Sequence, residues 1–381
     1  MARTLLSRAR MLNAFLGLVL VGGEVREWVE ATRDVGFGDT SDGEWMQRAR
    51  IHLDGQWDPI RIYIEPISGL ELGRDLARAS DKDDLDLHTA FVEIKAGTSY
   101  LRAGRQELGF GSGRILDTRD GPNIRASYDG ARAHTALDKI SLDAFIAREV
   151  AIRPGILDDT STDARAIWGT WASYVAGGIT IDAYALGTHH EAAYQRISGD
   201  EVRHTFGARF RVSHGTYAAE VETAVQRGEI SGTPIDAWLL GGELVADWFT
   251  AGGGITSGDT GHGALGTFSP LSFRAAYFGY LAANGASNEI GAHVAAKHEL
   301  GHLTLRGEVW EFWRQNTADA IYGLTGAVIA PPGDRFIGTQ LESVALWKIT
   351  GHVTIGAVIA EFVAHRMNDI TYVASWVTYA F

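Results

Sequence analysis

Along most of the chain apolar and polar residues alternate, and runs with the helical repeat are scarce. In 203–212, Arg203, Thr205, Gly207, Arg209 and Arg211 fall on one face of an extended strand. His204, Phe206, Ala208, Phe210 and Val212 fall on the other. The same alternation runs through 47–53, where Arg48, Arg50 and His52 share a face, and through 60–65, 179–185 and 217–225. Such segments predict about 18 strands. They lie near 18–31, 44–54, 60–67, 85–95, 99–108, 128–136, 140–150, 166–174, 179–188, 201–212, 216–226, 235–246, 248–257, 288–297, 303–313, 336–349, 353–363 and 370–381. Each is close to the ~9–11 residues that a tilted strand needs to cross a membrane.

The connections alternate in length. Residues 32–43, 68–84, 109–127, 151–165, 189–200, 258–287 and 314–335 are long; 55–59, 96–98, 137–139, 175–178, 213–215, 298–302 and 350–352 are short. Outer-membrane barrels have this asymmetry, with short periplasmic turns and long extracellular loops. A soluble β-sandwich also alternates apolar and polar positions, but has no reason to sort its loops by length. Seven of the eight prolines (59, 122, 154, 234, 270, 331 and 332) fall in the connections, as ladder hydrogen bonding requires. The pattern predicts an all-β fold: one antiparallel transmembrane β-barrel domain over 18–381, with about 18 strands and both ends on the periplasmic side. In the last strand Val373, Val377, Tyr379 and the terminal Phe381 share a face. A terminal Phe after alternating apolar residues resembles the signal that such barrels present to their assembly machinery. Before the first strand, Arg3, Arg8 and Arg10 precede an apolar stretch from Met11, as in an export signal, but no A-x-A site follows. Residues 1–17 are read as a signal or an N-terminal remnant.

Composition narrows the chemistry. There is no cysteine, which removes disulfides, thiol catalysis and cysteine zinc sites. The formal charge of −13 disfavours a nucleic-acid partner. The mean hydropathy of −0.05 fits a barrel, where every second residue faces lipid. Glycine, at 46 residues, is nearly twice the usual ~7%. The 11 Trp suit interfacial girdles, with Trp310, Trp313, Trp347 and Trp376 in or at the ends of strands. Cations are mostly arginine, 29 against 5 lysines, the better choice for gripping carboxylates.

Few catalytic motifs compete. His298-Glu299-Leu300-Gly301-His302 matches the H-E-x-x-H zincin pattern, which needs a helix to bring both imidazoles to one zinc. Alternation on both sides, and Gly301, suit a hairpin turn instead. Gly252-Gly253-Gly254 is read as close strand packing rather than a phosphate cradle. The acidic stretches 81–84 and 158–163 are read as solvated loops, with divalent-ion binding as the alternative. No G-x-S-x-G elbow or P-loop is present, and no catalytic residue, metal ligand or cofactor is assigned.

The stretch Leu101-Arg102-Ala103-Gly104-Arg105-Gln106-Glu107-Leu108-Gly109-Phe110-Gly111-Ser112-Gly113-Arg114 continues to Leu116-Asp117-Thr118-Arg119-Asp120-Gly121-Pro122-Asn123-Ile124-Arg125 and then Tyr128-Asp129-Gly130. It resembles the central signature of the alginate export family of outer-membrane porins. The likeness extends over most of the chain, through Gly22-Gly23-Glu24-Val25-Arg26-Glu27, Gln47-Arg48-Ala49-Arg50, Glu201-Val202-Arg203-His204-Thr205-Phe206-Gly207-Ala208-Arg209 and Phe312-Trp313-Arg314. The resemblance implies an 18-stranded barrel that passes an anionic polysaccharide such as alginate. Rings of arginine suit an anion pore, and lipid rejects a midplane arginine by ~2–4 kcal/mol, so the arginine faces should point inward. The expected path is Arg26, Arg48, Arg50, Arg102, Arg105, Arg114, Arg119, Arg125, Arg203, Arg209, Arg211 and Arg314, with Asp120 and Asp129 as partners. Asp117 is a further candidate partner, and 109–127 or 258–287 is the expected gate. The protein is expected to be a monomer whose partners are the anionic solute, outer-membrane lipid and the assembly machinery. The alternatives are a porin for small sugar acids, a zinc peptidase and a soluble carbohydrate-binding β protein.

Overall fold

The computed structural model describes residues 18–75, 78–194, 197–272 and 278–381. Residues 1–17, where an export signal was expected, lie outside the described residues. The wall strands are β1 (Leu18–Arg33), β2 (Asp42–Trp57), β3 (Ile60–Leu72), β4 (Asp83–Ala96), β5 (Ser99–Gln106) and β6 (Tyr128–Leu137). Next come β7 (Ile140–Ala151), β8 (Thr160–Ala176), β9 (Ile179–Tyr194), β10 (Ser198–His214), β11 (Tyr217–Ile230) and β12 (Thr233–Ala246). After β13 (Phe249–Thr256), β14 (Glu289–Leu300) and β15 (Leu303–Arg314), a small hairpin of β16 (Ile321–Tyr322) and β17 (Val328–Ala330) sits in a loop. The wall ends with β18 (Phe336–Lys348), β19 (Val353–Ala364) and β20 (Ile370–Ala380).

Among the described residues these form one 18-stranded antiparallel sheet, each strand paired with its neighbours in sequence. β1 also pairs with β20, from Glu24 opposite Ala380 to Arg33 opposite Thr371, so the sheet closes. The terminal residue extends this seam: Phe381 N–H donates to Gly23 O at 3.1 Å, and Gly23 N–H donates to Phe381 O at 3.0 Å. Closure leaves no strand edge in the wall, the condition for a sheet to cross lipid.

The alternation sorts itself across the wall as expected. Ile146 on β7 is 65% exposed, between Phe145 at 6% and Ala147 at 4%. Exposed Ile60, Ile62 and Ile64, Val92 and Ile94, and Val221 and Val225 continue an apolar outer band. Val373, Val377, Tyr379 and Phe381 are on it too. Seven of the eight turns on one rim span two residues, and the eighth is 349–352. On the other rim lie the long loops 107–127, 257–288 and 315–335.

Four expectations change. The link at 189–200 is mostly strand, because β9 and β10 run on to Tyr194 and from Ser198; the link 231–232 on that rim is also short. Pro234 belongs to β12 near its first residue, where a missing N–H is tolerated, and Pro66 sits at a register shift in β3. Trp310 and Trp376 point inward and are buried, while Trp347 and Trp248 are exposed near the short-turn rim, as girdle residues should be. Asp81 and Asp83 are buried rather than solvated.

The lipid-facing assignment has a direct test. Ile146→Arg should lower unfolding stability in lipid by ~2–4 kcal/mol, measured by reversible denaturation in vesicles. An unchanged stability would mean that this face does not meet the hydrocarbon.

Candidate functional site

Two long loops fold back into the barrel. At its start the loop 107–127 packs Phe110 against Phe145 and Trp171, and brings Arg114 to 3.6 Å from Glu222 on β11. Further along, Asn123 is fully buried and donates to Gln47 O, Leu70 O and Asp81 O beside β2 and β3. One loop therefore touches walls at β1–β3 and at β7–β12, which only a crossing of the interior allows. Gly241 makes room for Arg114: a Cβ there would stand 2.6 Å from the guanidinium. The second loop, 257–288, starts against β12, where Asp236 N–H donates to Leu265 O at 3.0 Å. It ends beside β18 and β20: Gln340 donates to Phe278 O, Glu342 accepts from Tyr280 N–H, and Tyr280 stacks on Trp376 and Trp28. The two loops are joined where Asp117 N–H meets Ser272 O and Ser272 N–H meets Ile115 O. The described residues of both candidate gate loops thus lie inside the lumen.

The predicted arginines face this interior, but as members of ion pairs. Arg48 lies 2.6 Å from Glu24 and 3.0 Å from Asp120; Arg50 lies 3.3 Å from Glu24. Arg102 pairs with Glu93, Arg105 with Asp129 and Asp86, and Arg125 with Glu107 and Asp120. Arg203 holds Glu201 and also reaches Gln226 and Thr267 O; Arg209 bridges Asp182 and Glu220. Arg211, more exposed, lies 3.7 Å from Glu220. Arg26 and Arg314 instead hold backbone carbonyls. Arg26 donates to Asp120 O and Pro122 O, and Arg314 to Pro331 O and Asp334 O, which anchors the loop 315–335. Arg119 sits in the crossing loop in a left-handed conformation, φ 59°, and has no ion pair among the described residues. Asp117 lies in that loop's tight turn against Gly113.

Register shows what the pairing offsets. Arg26 stands directly opposite Arg48 on the β1–β2 ladder, and Arg102 opposite Arg132 on β5–β6. Elsewhere Glu220 faces Glu243 on β11–β12, and Glu308 faces Glu342 on β15–β18. Like charges directly across a ladder are destabilising. They are offset by nearby partners: Asp120 from the crossing loop, and from the wall Glu93 against Arg102, Asp143 against Arg132 at 2.8 Å and Arg306 against Glu308. The two arginine registers lie on β1–β2 and β5–β6, and the two glutamate registers on β11–β12 and β15–β18.

Aromatic rings accompany the cations. Arg26 lies over Trp28, Arg102 over Phe91 at 4.0 Å, and Arg132 over Phe110 at 5.0 Å. Stacks run from His52 through Tyr63 to Phe91, and from Phe110 through Trp171 to Tyr184. Arg61, Arg132, Trp28 and Tyr280 were not among the expected path residues. Parity carried the first three: Arg61 shares a face with Tyr63, Arg132 with Tyr128, and Trp28 with Arg26. Tyr280 lies in an irregular loop, where no period marks it.

The H-E-x-x-H segment is a strand end and turn. His298 pairs with Leu305, Leu300 pairs with Leu303, and Gly301 has φ 61°. Gly252–Gly254 lie within β13, as close packing requires: a Cβ at Gly253 would come 2.2 Å from Gly291 O.

Compared with known proteins, residues 18–364 match the sequence model of the family described as alginate export. The chain belongs to the alginate export family. No curated protein matches it by sequence. Among solved structures it is similar to Pseudomonas aeruginosa OccK5 (OpdH), at 14% identity and TM-score 0.64 over 95% of this chain and 98% of that one. It is similar also to P. aeruginosa OccK8 (OprE), at 12% and 0.65 over 95% and 98%. A third is P. aeruginosa OccK2 (OpdF) in complex with glucuronate, at 12% and 0.64 over 95% and 96%. At such identities the likeness concerns the fold, that of outer-membrane porins. This member of the alginate export family is a porin-type channel, not an enzyme.

Asp120 is the hinge of the crossing loop's charge. Burial alone would raise its carboxyl, but Arg48, Arg125, Arg26 and Arg50 outweigh burial and hold it below the usual range. Its folded value lies below the unfolded one, so its docking contribution is complete above about pH 4 and is lost as pH falls through the depressed value. Single-channel current should therefore stay quiet at neutral pH and become noisy only on strong acidification. Asp120→Asn should be noisy at neutral pH. Equal noise in both proteins at every pH would show that Asp120 does not hold the loop.

Proposed function

We propose that this channel passively conducts a uronate-type anionic carbohydrate across the bacterial outer membrane, with an alginate-like polyuronate as the main substrate. The observation that carries the proposal is the laying of arginines on aromatic faces along the lumen, at Arg26–Trp28, Arg102–Phe91 and Arg132–Phe110. A uronate presents a carboxylate and an apolar ring face together. The guanidinium suits the first and the ring the second.

The carboxylate partners make transit feasible. A bare guanidinium facing one carboxylate at 4 Å gains ~4 kcal/mol at an effective dielectric of 20, and several in series would trap a polyanion. A pore needs binding strong enough to admit the solute and weak enough to release it. Glu24, Glu93, Asp129 and Asp143 already share the arginines, so a passing carboxylate exchanges partners rather than gaining a new one. Small sugar acids are the second reading. The two loops that cross the lumen favour it, as does a structural neighbour solved with glucuronate. In either case the barrel would act as a monomer, with its apolar band in lipid and the Phe381 strand offered to the assembly machinery.

Planar-bilayer current in the presence of an oligouronate tests this reading. The oligouronate should block the current, and a neutral oligosaccharide of equal length should block at least ~10-fold more weakly. Arg102→Gln combined with Trp28→Ala should weaken the oligouronate block by a further ~10-fold, or about 1.4 kcal/mol. Equal block by charged and neutral chains would overturn the uronate assignment. Block by monomeric glucuronate alone would favour the sugar-acid reading.

A further inference from the structure

Outside the lumen, the lipid-facing wall is hollowed between the β12–β13 turn and β19. Two hollows of about 630 and 810 Å³ share Trp248, Ala296, Gly307, Ser343 and Ile359, so they form a continuous groove. Trp248 and Ile359, 61% and 59% exposed, stand on either side of it. Ladder register makes the hollow. Ala296 stands opposite Gly307, and Gly307 opposite Ser343, so three small residues lie side by side on β14, β15 and β18. A Cβ on Gly307 would meet nothing within 4 Å, whereas one on Gly253 would strike Gly291 O. Close packing therefore does not require glycine at 307, and glycine weakens a strand. What it leaves is room on the outer face.

The two ends of the groove differ in charge. Toward the short turns the larger hollow is lined by Lys297, His298 and Arg306, and none of its described lining is acidic. Arg306 is taken by Glu308 at 2.6 Å. His298 alternates with Ala295 and Lys297 along β14, so it shares the outer face with Ala296 and Val294. Lys297 is half-exposed, and its partner Glu299, 3.3 Å away, is exposed too, which makes a weak pair. Trp248 and Trp347, both exposed, mark this level as the membrane interface. From His298 to Val294 the groove runs ~13 Å along the strand, which compares with half of the ~30 Å hydrocarbon core. At the other end the smaller hollow reaches Glu361, which bounds the apolar stretch. The groove therefore offers one leaflet's depth of apolar surface with basic groups at the level of the headgroups.

We propose that this groove binds one anionic glycerophospholipid from the leaflet nearest the short turns, with an acyl chain lying over Gly307 and the phosphate meeting His298 and Lys297. A flat wall touches an acyl chain on one side. The groove touches it on three, and dispersion grows with the number of contacts. A phosphate accepts from imidazole and ammonium N–H groups, and the long lysine side chain reaches the interface while its stem lies along apolar surface. A second barrel would bring a convex wall, which leaves a groove unfilled. The first histidine of the H-E-x-x-H segment thereby becomes a headgroup ligand.

The test uses the folded, delipidated full-length barrel in detergent, titrated with phosphatidylglycerol and read by native mass spectrometry. One phosphatidylglycerol should be retained saturably per barrel, and phosphate-free diacylglycerol at least ~10-fold more weakly. Gly307→Leu fills the groove without a clash and should weaken phosphatidylglycerol retention roughly 10-fold. Ser343→Leu, on the next strand, should do the same and keeps the test available if Gly307→Leu fails to fold. His298→Ala combined with Lys297→Gln should weaken phosphatidylglycerol retention and leave that of diacylglycerol unchanged. Val221→Leu, exposed on β11, should retain phosphatidylglycerol normally. Conductance should be unchanged in Gly307→Leu, which separates this site from the conduction path. No saturable retention by the unmodified protein would overturn the proposal. So would an equal loss in Val221→Leu, which would mean a general lipid coat, or dimers that Gly307→Leu abolishes, which would put a second copy in the groove.

Discussion

Every backbone hydrogen bond of the wall has to be made within the wall, because lipid offers none. The ladder from β1 round to β20, completed by the Phe381–Gly23 pair, meets that constraint. The rest follows from it. Closure fixes which side of each strand faces hydrocarbon, and a slip of one residue would turn a whole strand inside out. Arginine is tolerated on the inner side alone. The chain can therefore carry 29 arginines and a net charge of −13 and still show lipid an apolar band.

Inside the wall opposite charges face each other at many registers, as at Arg50–Glu24, Arg102–Glu93 and Arg209–Glu222, but Arg26 faces Arg48, Arg102 faces Arg132, Glu220 faces Glu243 and Glu308 faces Glu342. Such like-charge pairs weaken a sheet, and a sequence selected only for stability would alternate signs. At these like-charge registers the repulsion is relieved by neighbouring partners of opposite sign, among them Asp120 on the crossing loop. The loop is thus both obstacle and counter-ion. Its position and the field of the lumen are set by the same contacts.

The fold was legible because its signal is long-range and redundant. Alternation repeated over 18 segments survives local errors of a few residues. Sequence and structure part where the period says nothing. At 189–200 the pattern suggests a loop, yet β9 and β10 extend through most of it. Trp376 suits a girdle by residue type, but parity with Val377 and Tyr379 puts it on the opposite, inner face. Most expected arginines do face the lumen, since parity with lipid exclusion decides that. Their partners were largely unreadable: that Asp120 would meet Arg48, 72 positions away, depends on the path of an irregular loop. The meeting of Asp86 with Asp158 and Asp159 is hidden for the same reason.

The central claim is that inward arginines, even when ion-paired, make the pathway favour anions in a protein whose overall charge is negative. The reversal potential across a planar bilayer with a salt gradient reads this directly. The account predicts a potential displaced toward the anion equilibrium value, with the displacement shrinking as salt screens the lumen. A cation-selective or unselective reversal potential from inserted, conducting protein would contradict it.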